Sequence, residues 1–242
     1  MTPRTLSNNI RRFCIVNASP AVVKKYSRFF KEGYDAYGLT KEKFECKAAM
    51  LLREEVVDLP LVLHAAQLLL KSGKYEETSF AIHLLKNFTD RFTRSTFSAV
   101  EQWFARGIIN WAHADIMAID IISYFLVNRI VPLEEVAAWT AVERKYQRRC
   151  VPVSMIKMLG ATSDFNSLFQ HIEPLMEDKD REVQQGVGWF LREAWKLRRR
   201  DTEKFLLKWK DRGARLIYQY ATEKMTAAER KKFRRENTTR TH

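Results

Sequence analysis

The sequence predicts an all-α protein built from pairs of helices. Glycine and proline, the residues that most often interrupt helices, are scarce, with 8 Gly and 6 Pro in 242 residues. Apolar residues recur at helical spacing along most of the chain, and no segment shows the sustained alternation of apolar and polar residues that marks a strand. Hydrophobic residues make up 46% and charged residues 29%, the balance of a folded globular chain.

Capping residues and helix breakers place the helices in order along the chain. Thr40 caps a helix that runs through KEKFECKAAMLLREEV. Pro60 opens a second helix, LVLHAAQLLLKS, and the residues SGK (72–74) separate it from the next. Further on, Pro132 begins one helix and Asp164 begins another at FNSLFQHIEPLM. The connections between these helices are short.

Four helical segments share one pattern, a polar first turn followed by an apolar stripe. They start at residues 76, 110, 145 and 182, which are about 34 to 37 residues apart. This spacing is typical of HEAT-like repeats, in which helix pairs stack into a curved solenoid whose second helices line a concave face. We therefore predict a HEAT-like helical-repeat solenoid, with an irregular helical bundle as the alternative.

The formal net charge of +13 indicates a polyanionic partner. The chain has 42 Lys and Arg residues against 29 Asp and Glu residues, an excess that favours nucleic acid or an anionic membrane surface, although some basic proteins bind neither. Part of the excess lies in RKKFRREN (230–237).

We predict a single repeat domain over residues 1–228 with a basic, concave DNA-binding face, followed by a disordered basic tail over residues 229–242.

Other function classes are disfavoured by what the sequence lacks. No run of about 18 apolar residues suggests a transmembrane helix, and the first residues do not resemble a secretory signal. Cys14, Cys46 and Cys150 are odd in number and far apart, so we expect neither a disulfide framework nor a zinc knuckle, and an intracellular protein. The five histidines lack ligand spacing, so we expect no metal and no other cofactor.

The first candidate site lies in the run NWAHADIMAIDIISYFL (110–126). Trp111 and Asp115 are four residues apart there, and therefore on the same face of a helix. A carboxylate flanked by an indole and aliphatic side chains is partly desolvated and needs a cationic partner. An ion pair with an arginine, or simple solvent exposure, is the alternative role for a single aspartate.

A second candidate is the pair Arg148 and Arg149, at the start of the third segment of the shared pattern. Guanidinium groups bind phosphate through paired hydrogen bonds, and a helix N-terminus favours an anion. A solvated basic face is the alternative for these two residues.

The third candidate is QQGVGWFLREAWKLRRR (184–200), in which Trp189 and Arg192 are three residues apart on one helix face. Core packing is the alternative for the tryptophan. Gly186 and Gly188 each cost about 1 kcal/mol within a helix, and they would allow another backbone to approach closely.

Three stretches in this order resemble the signature stretches of the AlkD-like DNA alkylation-repair glycosylases: WAHAD (111–115), QRR (147–149) and GWFLRE (188–193). A fourth, YGLTKEKFE (37–45), resembles the first inter-helix turn of that family, so the resemblance covers nearly the whole chain. It implies a HEAT-like enzyme that acts on double-stranded DNA with alkylated bases. We expect a monomer located in the cytoplasm, associated with the nucleoid in a prokaryote.

The resemblance assigns catalytic roles to individual residues. Trp111 and Trp189 match an aromatic pair that contacts the deoxyribose around the lesion, and Asp115 matches the carboxylate credited with catalysis. The chain departs from the family just after the first tryptophan. Many members carry an acid there, whereas this chain has Ala112 and then His113.

It also assigns contacts with DNA. Arg148 matches an arginine that touches the DNA backbone, and Arg149 and Arg192 are further candidate contacts. Where many members have a tyrosine in the cleft, this chain has Phe29, with Tyr26 close by.

The implied chemistry needs a single carboxylate. Glycoside cleavage ordinarily requires an acid for the leaving group and a carboxylate for the oxocarbenium-like centre. A purine alkylated at N3 or N7 is already cationic and leaves as a neutral base, so no proton donor is required. The resemblance further implies that the lesion stays stacked in the duplex, unlike the flipped bases of most base-modifying enzymes.

Two other functions are alternatives to the glycosylase: a non-catalytic DNA-binding protein of the same fold, and a helical-repeat scaffold for an acidic protein partner.

Overall fold

The computed structural model describes residues 1–235, and every regular element within them is a helix, so the all-α prediction is confirmed. The α-helices are α1 Pro3–Val16, α2 Pro20–Ser27, α3 Lys41–Leu52, α4 Leu59–Leu70, α5 Tyr75–Leu85, α6 Arg94–Glu101, α7 Trp103–Arg106, α8 Trp111–Ile116, α9 Ser123–Val127, α10 Leu133–Ala137, α11 Lys145–Met155, α12 Phe165–Ile172, α13 Arg181–Leu197, α14 Arg199–Lys208, α15 Arg215–Ala221 and α16 Ala227–Lys231. A π-helix, Met117–Ile122, joins α8 to α9. Short 3-10 segments extend α5, α10, α11 and α12.

The helices begin where the sequence places them. The four segments of the shared pattern are α5, α8, α11 and α13, and each starts within one residue of its predicted position. Thr40 caps α3 by accepting a hydrogen bond from the backbone N–H of Lys43. Asp58 and Asp164 cap α4 and α12 in the same way. These side chains satisfy N–H groups that have no partner within the helix.

The chain folds into two compact units, Met1–Ile121 and a second that starts at Ile122. In the first unit α4 packs against α1 and α5, and α5 also packs against α3 and α8. Buried aliphatic side chains such as Leu6, Ile10, Leu69 and Leu85 fill the space between these helices. Burial of each such side chain stabilises the fold by roughly 1.5–3 kcal/mol. The predicted single repeat domain over residues 1–228 spans both units and stays a prediction.

In the second unit the long helix α13 packs closely against α11 and α15, and its two glycines make this possible. A Cβ at Gly186 would lie 3.1 Å from the Cγ of Arg149 on α11. A Cβ at Gly188 would lie 2.5 Å from the Cβ of Tyr220 and 2.8 Å from the backbone oxygen of Ile217, both on α15. The close backbone approach predicted from these glycines is confirmed.

Residues 229–235 are folded, whereas the sequence predicts that they belong to a disordered tail. Helix α16 opens with a reciprocal capping box between Thr226 and Glu229. Phe233 is 1% exposed and packs near the ring of Tyr218, and its backbone oxygen accepts a hydrogen bond from Arg215. One buried aromatic side chain thus anchors a segment whose composition looked too polar to fold. Residues 236–242 of the predicted tail lie outside the described residues.

Within the part of the chain that the structure describes, no helix has both the length and the apolar character that crossing a membrane requires.

Candidate DNA-binding and catalytic residues

Trp111 and Asp115 lie one turn apart in α8, as predicted. Asn110 caps this helix, and its side-chain oxygen accepts a hydrogen bond of 2.9 Å from the backbone N–H of His113. Trp111 is 38% exposed and Asp115 is half-buried, whereas His113 and Ala114 between them are buried. The helix therefore turns its interior face to the first unit's core and leaves the tryptophan and the aspartate accessible from outside.

The indole of Trp111 is held in a fixed orientation. Its N–H donates a hydrogen bond of 3.1 Å to the backbone oxygen of Phe29. Its ring stacks on Phe30, with centroids 5.7 Å apart and planes inclined by 19°, and Phe30 stacks in turn on Tyr34 at 4.6 Å. A side chain fixed in this way loses little conformational entropy when it contacts a ligand.

His113 is a structural residue of the first unit. Its Nδ1 accepts from the Asn110 amide at 2.8 Å, and its Nε2 lies 2.9 Å from the Ser79 hydroxyl. Since that hydroxyl donates its own hydrogen to the Tyr75 backbone oxygen, the hydrogen-bond network places the imidazole proton on Nε2. Complete burial lowers the pKa of His113 to about 3 and keeps the ring neutral.

The segment that resembles the family's first inter-helix turn is fixed by a buried glutamate. The carboxylate of Glu76 accepts hydrogen bonds from the backbone N–H groups of Tyr37, Gly38 and Leu39, at 2.6 to 3.1 Å. Gly38 has φ +85° and sits against the backbone of Ser19, where a Cβ would approach the Ser19 oxygen to 2.2 Å. Only glycine fits this position, and the turn is thereby clamped between α2 and α5.

In the second unit, Arg148 lies in a buried network of hydrogen bonds. The residue is 7% exposed, and its Nε donates to Asp178 at 2.7 Å. Its Nη2 pairs with Asp180, and its Nη1 donates to the backbone oxygens of Val142 and Glu143. The prediction that this guanidinium contacts a DNA phosphate is at odds with the geometry, because a phosphate would have to displace two carboxylates.

The other candidates of the second unit are more accessible than Arg148, with one exception. Trp189 is half-buried on α13, and Arg192 on the same helix pairs with Glu193 at 3.1 Å and Glu223 at 2.5 Å. The exception is Arg149, which is buried and donates to the backbone oxygen of Glu182 on α13. Arg149 thus ties α11 to α13 as well as being a candidate DNA contact.

The predicted site residues fall into two groups. Phe29, Trp111 and Asp115 belong to the first unit, where the indole of Trp111 and the backbone of Phe29 are in direct contact. The second group, Arg148, Arg149, Trp189 and Arg192, belongs to the second unit. Their convergence on one concave face stays a prediction, and so do their individual roles.

Comparison with known proteins decides the family. The sequence model of the DNA alkylation repair enzyme family matches residues 15–225, which is most of the chain. The chain belongs to this family. Membership supports a DNA repair enzyme whose partner is DNA. No curated protein matches the sequence.

The family fold is also found among solved structures. A structure described as a predicted DNA alkylation repair enzyme from Enterococcus faecalis superimposes with a TM-score of 0.74. The match covers 87% of this chain and 98% of that one, at 16% sequence identity. This likeness identifies the helical-repeat fold of the DNA alkylation repair enzymes, and at such low identity it carries no information about individual site residues.

One feature of this family member was missed by sequence reasoning, a cavity of about 560 Å³ within the first unit. Aromatic side chains dominate its lining, among them Tyr26, Phe29, Phe30, Tyr34, Phe44 and Trp111. We call it the aromatic cavity. A usable signal was present in KKYSRFFKEGY (24–34), where aromatic and basic residues are interleaved.

Among the described residues, no group of three or more His, Cys, Asp or Glu side chains is arranged so that it could hold a metal ion.

Proposed function

We propose that this protein is a DNA glycosylase that hydrolyses the N-glycosidic bond of cationic N3- or N7-alkylated purines in duplex DNA. The observation that carries the proposal is the pairing of Trp111 with Asp115 on the accessible face of α8, while His113 and Ala114 anchor the opposite face. The reaction proceeds without a metal ion, and the lesion stays stacked in the duplex.

Asp115 would stabilise the positive charge that develops on the sugar as the bond breaks. The alkylated purine already carries a positive charge, so it departs as a neutral base and needs no general acid. A single carboxylate then stabilises the oxocarbenium-like transition state and orients the attacking water. The half-buried setting of Asp115 strengthens this interaction, because the local dielectric is lower than that of water.

Trp111 adds attraction to the same charge, and the role of Trp189 stays the one that the family resemblance implies. The face of an indole attracts a cation, and the effect is larger when water is excluded. Trp111 is already oriented by its hydrogen bond to Phe29 and its stack on Phe30. Arg149 and Arg192 would contact the DNA, whereas Arg148 stabilises the second unit through its buried carboxylate partners.

A non-catalytic DNA-binding protein is the second candidate function. It is favoured by the sequence just after Trp111, where Ala112 replaces the acid that many family members carry. An acid at that position would add a second negative charge near the sugar, so its loss weakens the case for catalysis. Asp115 remains the feature that favours the enzyme.

The proposal is tested by replacing Asp115 with asparagine, which keeps the shape and removes the charge. Excision of methylpurine from methylated duplex by purified protein in EDTA should fall by roughly 10²–10³, or about 3–4 kcal/mol, while binding to the damaged duplex survives. Asp120→Asn is the matched control. Asp120 lies five residues further along the same helical run and pairs with Lys86 at 3.5 Å, so its loss should leave excision unchanged.

Two outcomes would count against the proposal. Excision by Asp115→Asn at the wild-type rate would show that the carboxylate is structural. No excision by the wild type, above the uncatalysed loss of base in the same buffer, would favour the binding protein instead. Trp111→Ala and Trp189→Ala should weaken both binding and excision, since each removes contact area as well as attraction for the cation.

A further inference from the structure

The aromatic cavity lies beside the Trp111–Asp115 face of α8. Trp111 forms part of its wall, and the cavity continues along Ala112, Ile116 and Asp120 on the adjacent face of the same helical run. Its volume of about 560 Å³ is in the range of sites that bind small organic ligands. The cavity lies entirely within the first unit.

Its wall is suited to a planar aromatic ligand. Tyr34, Phe30 and Trp111 stack in series, with centroid separations of 4.6 and 5.7 Å. Phe44 lines the cavity from α3, with its ring edge-on to His83 at 5.4 Å. Because Tyr34 and Trp111 cover the faces of Phe30, a nucleobase would stack at the end of the series, on the 38% exposed Trp111, and stacking of this kind does not depend on base sequence.

Cations surround the same wall. Lys41 and Lys86 line the cavity. Lys25 lies 5.4 Å from the centre of the Tyr26 ring, and Arg28 lies 4.8 Å from the centre of the Phe29 ring, and both rings belong to the lining. A free base carries no phosphate to use this charge, whereas a nucleotide does.

The acidic side chains of the lining are already engaged. Glu76 accepts three backbone hydrogen bonds, and Asp120 pairs with Lys86. His83 can donate to or accept from a base edge as a neutral ring, because burial and the charge of Lys86 lower its pKa. Because Lys86 is neutralised by Asp120, the positive charge left for an anionic ligand comes from Lys25 and Arg28 beside the lining rings and from Lys41, whose pair with Glu45 is exposed and 3.7 Å long.

We propose that the aromatic cavity binds an unpaired nucleotide of single-stranded DNA, with the base stacked on the aromatic wall and the adjoining phosphates held by Lys25, Arg28 and Lys41. This goes beyond the proposed excision of bases from duplex DNA, since it adds a second mode of DNA binding. The protein would then prefer a duplex next to a single-stranded gap or overhang over an uninterrupted duplex.

The test compares the affinity of the full chain for a fluorescent duplex with a single-stranded overhang and for the same duplex with blunt ends. Ile116→Trp places an indole in the cavity at a position that is 38% exposed. It should weaken binding of the overhang substrate by about tenfold, the value of one stacked base, and leave blunt-duplex affinity unchanged. Met50→Trp, at a 56% exposed position on α3 outside the lining, is the matched control.

A second pair of variants removes charge without filling the cavity. Lys41→Gln should weaken overhang binding, whereas Lys43→Gln, two residues along the same exposed turn of α3, should not. In competition, deoxyadenosine monophosphate should displace the overhang at lower concentration than adenine does. Thermal unfolding of each variant establishes that it is folded.

Three results would overturn the proposal: equal affinity of the wild type for both substrates, equal losses in Ile116→Trp and Met50→Trp, or stronger competition by adenine than by the nucleotide. The last would assign the cavity to a free base. Because these readouts measure binding alone, they stand even if the wild type excises no base from duplex DNA, and the two proposals fail independently.

Discussion

His113 shows how a titratable side chain can be buried in this protein without a charged partner. Its ring is satisfied by Asn110 and Ser79 and stacks on Tyr75 with centroids 4.5 Å apart. Because burial lowers its pKa from 6.5 to about 3, the folded protein resists a proton that the unfolded chain accepts. The contribution of neutral His113 to the free energy of unfolding is therefore complete above pH 6.5 and is lost progressively as the pH falls towards 3.

This argument predicts the effect of His113→Gln, which removes the titration. Between pH 7.5 and pH 5, the free energy of unfolding should fall by about 2 kcal/mol more in the wild type than in the variant. Chemical denaturation at the two pH values measures the difference. The control is His64→Gln, at an exposed position, whose free energy of unfolding should fall between the two pH values by as much as that of the wild type. Identical losses in the wild type and in His113→Gln would mean that the imidazole can be protonated in the folded state.

Arg148 is a contrasting case, because its charge is buried against carboxylates. Removal of one partner of a buried pair leaves the other unpaired, which costs roughly 3–5 kcal/mol. We expect Arg148→Ala to lower the free energy of unfolding by that amount, since Asp178 is almost fully buried. Arg212→Ala removes an exposed pair with Glu177 and should cost less than about 1 kcal/mol. Similar losses in the two variants, measured by chemical denaturation, would contradict the structural role of Arg148.

Residue positions on a helix could be predicted from the sequence, but their partners could not. Trp111 and Asp115 are four residues apart, and helical periodicity alone puts them on one face. The partners of Arg148 are Asp178 and Asp180, thirty or more residues away, in the acidic run EDKD (177–180). Which arginine those acids would neutralise depends on how α11 packs in the second unit, and local sequence carries no information about that.

At the scale of elements, the ends of helices were the most predictable features. Thr40 and Asp164 each cap a helix by accepting a hydrogen bond from the backbone N–H three residues further along the chain, so the signal is entirely local. The π-helix at Met117–Ile122 was not predicted, because an apolar run such as 110–126 fits more than one helical register. Phe233 was missed for a related reason: one aromatic among basic residues has no periodicity.

The glycines of α13 lead to a prediction at this scale. Gly188→Ala would force a methyl group against Tyr220 and the backbone of Ile217, and the backbone cannot rotate away as a side chain can. Overpacking of this kind typically costs about 1–3 kcal/mol, which exceeds the gain in helix propensity of about 1 kcal/mol. We therefore expect a net loss of stability.

Gly160→Ala is the control for that experiment. Gly160 also lies in a helical segment of the second unit, and no atom lies within 4 Å of the position its Cβ would take. The alanine there should be neutral or stabilising, by up to about 1 kcal/mol. Thermal unfolding of both variants gives the comparison. A Gly188→Ala protein as stable as Gly160→Ala would mean that α13 and α15 can move apart at no cost.

At the scale of the whole molecule, the formal net charge of +13 follows from the sequence without any knowledge of the fold. The structure adds that part of the basic charge is neutralised internally, since Arg148, Arg192 and Arg199 all pair with acids of the second unit. A count of arginines therefore overestimates the number that can reach DNA. The number of phosphates contacted is a separate quantity and has to be measured.

The salt dependence of duplex binding measures that number. Each phosphate neutralised releases counterions, so the logarithm of the affinity should fall linearly with the logarithm of the salt concentration, with a slope of about −0.9 per contact. We expect a steep slope for the wild type; an affinity that does not change with salt would mean that DNA is not the partner. Arg148→Gln, assayed at a temperature where it is folded, should keep the wild-type slope, because this guanidinium already donates to Asp178, Asp180 and two backbone oxygens. A slope shallower by about 0.9 would instead show that Arg148 exchanges its carboxylates for a phosphate when DNA binds.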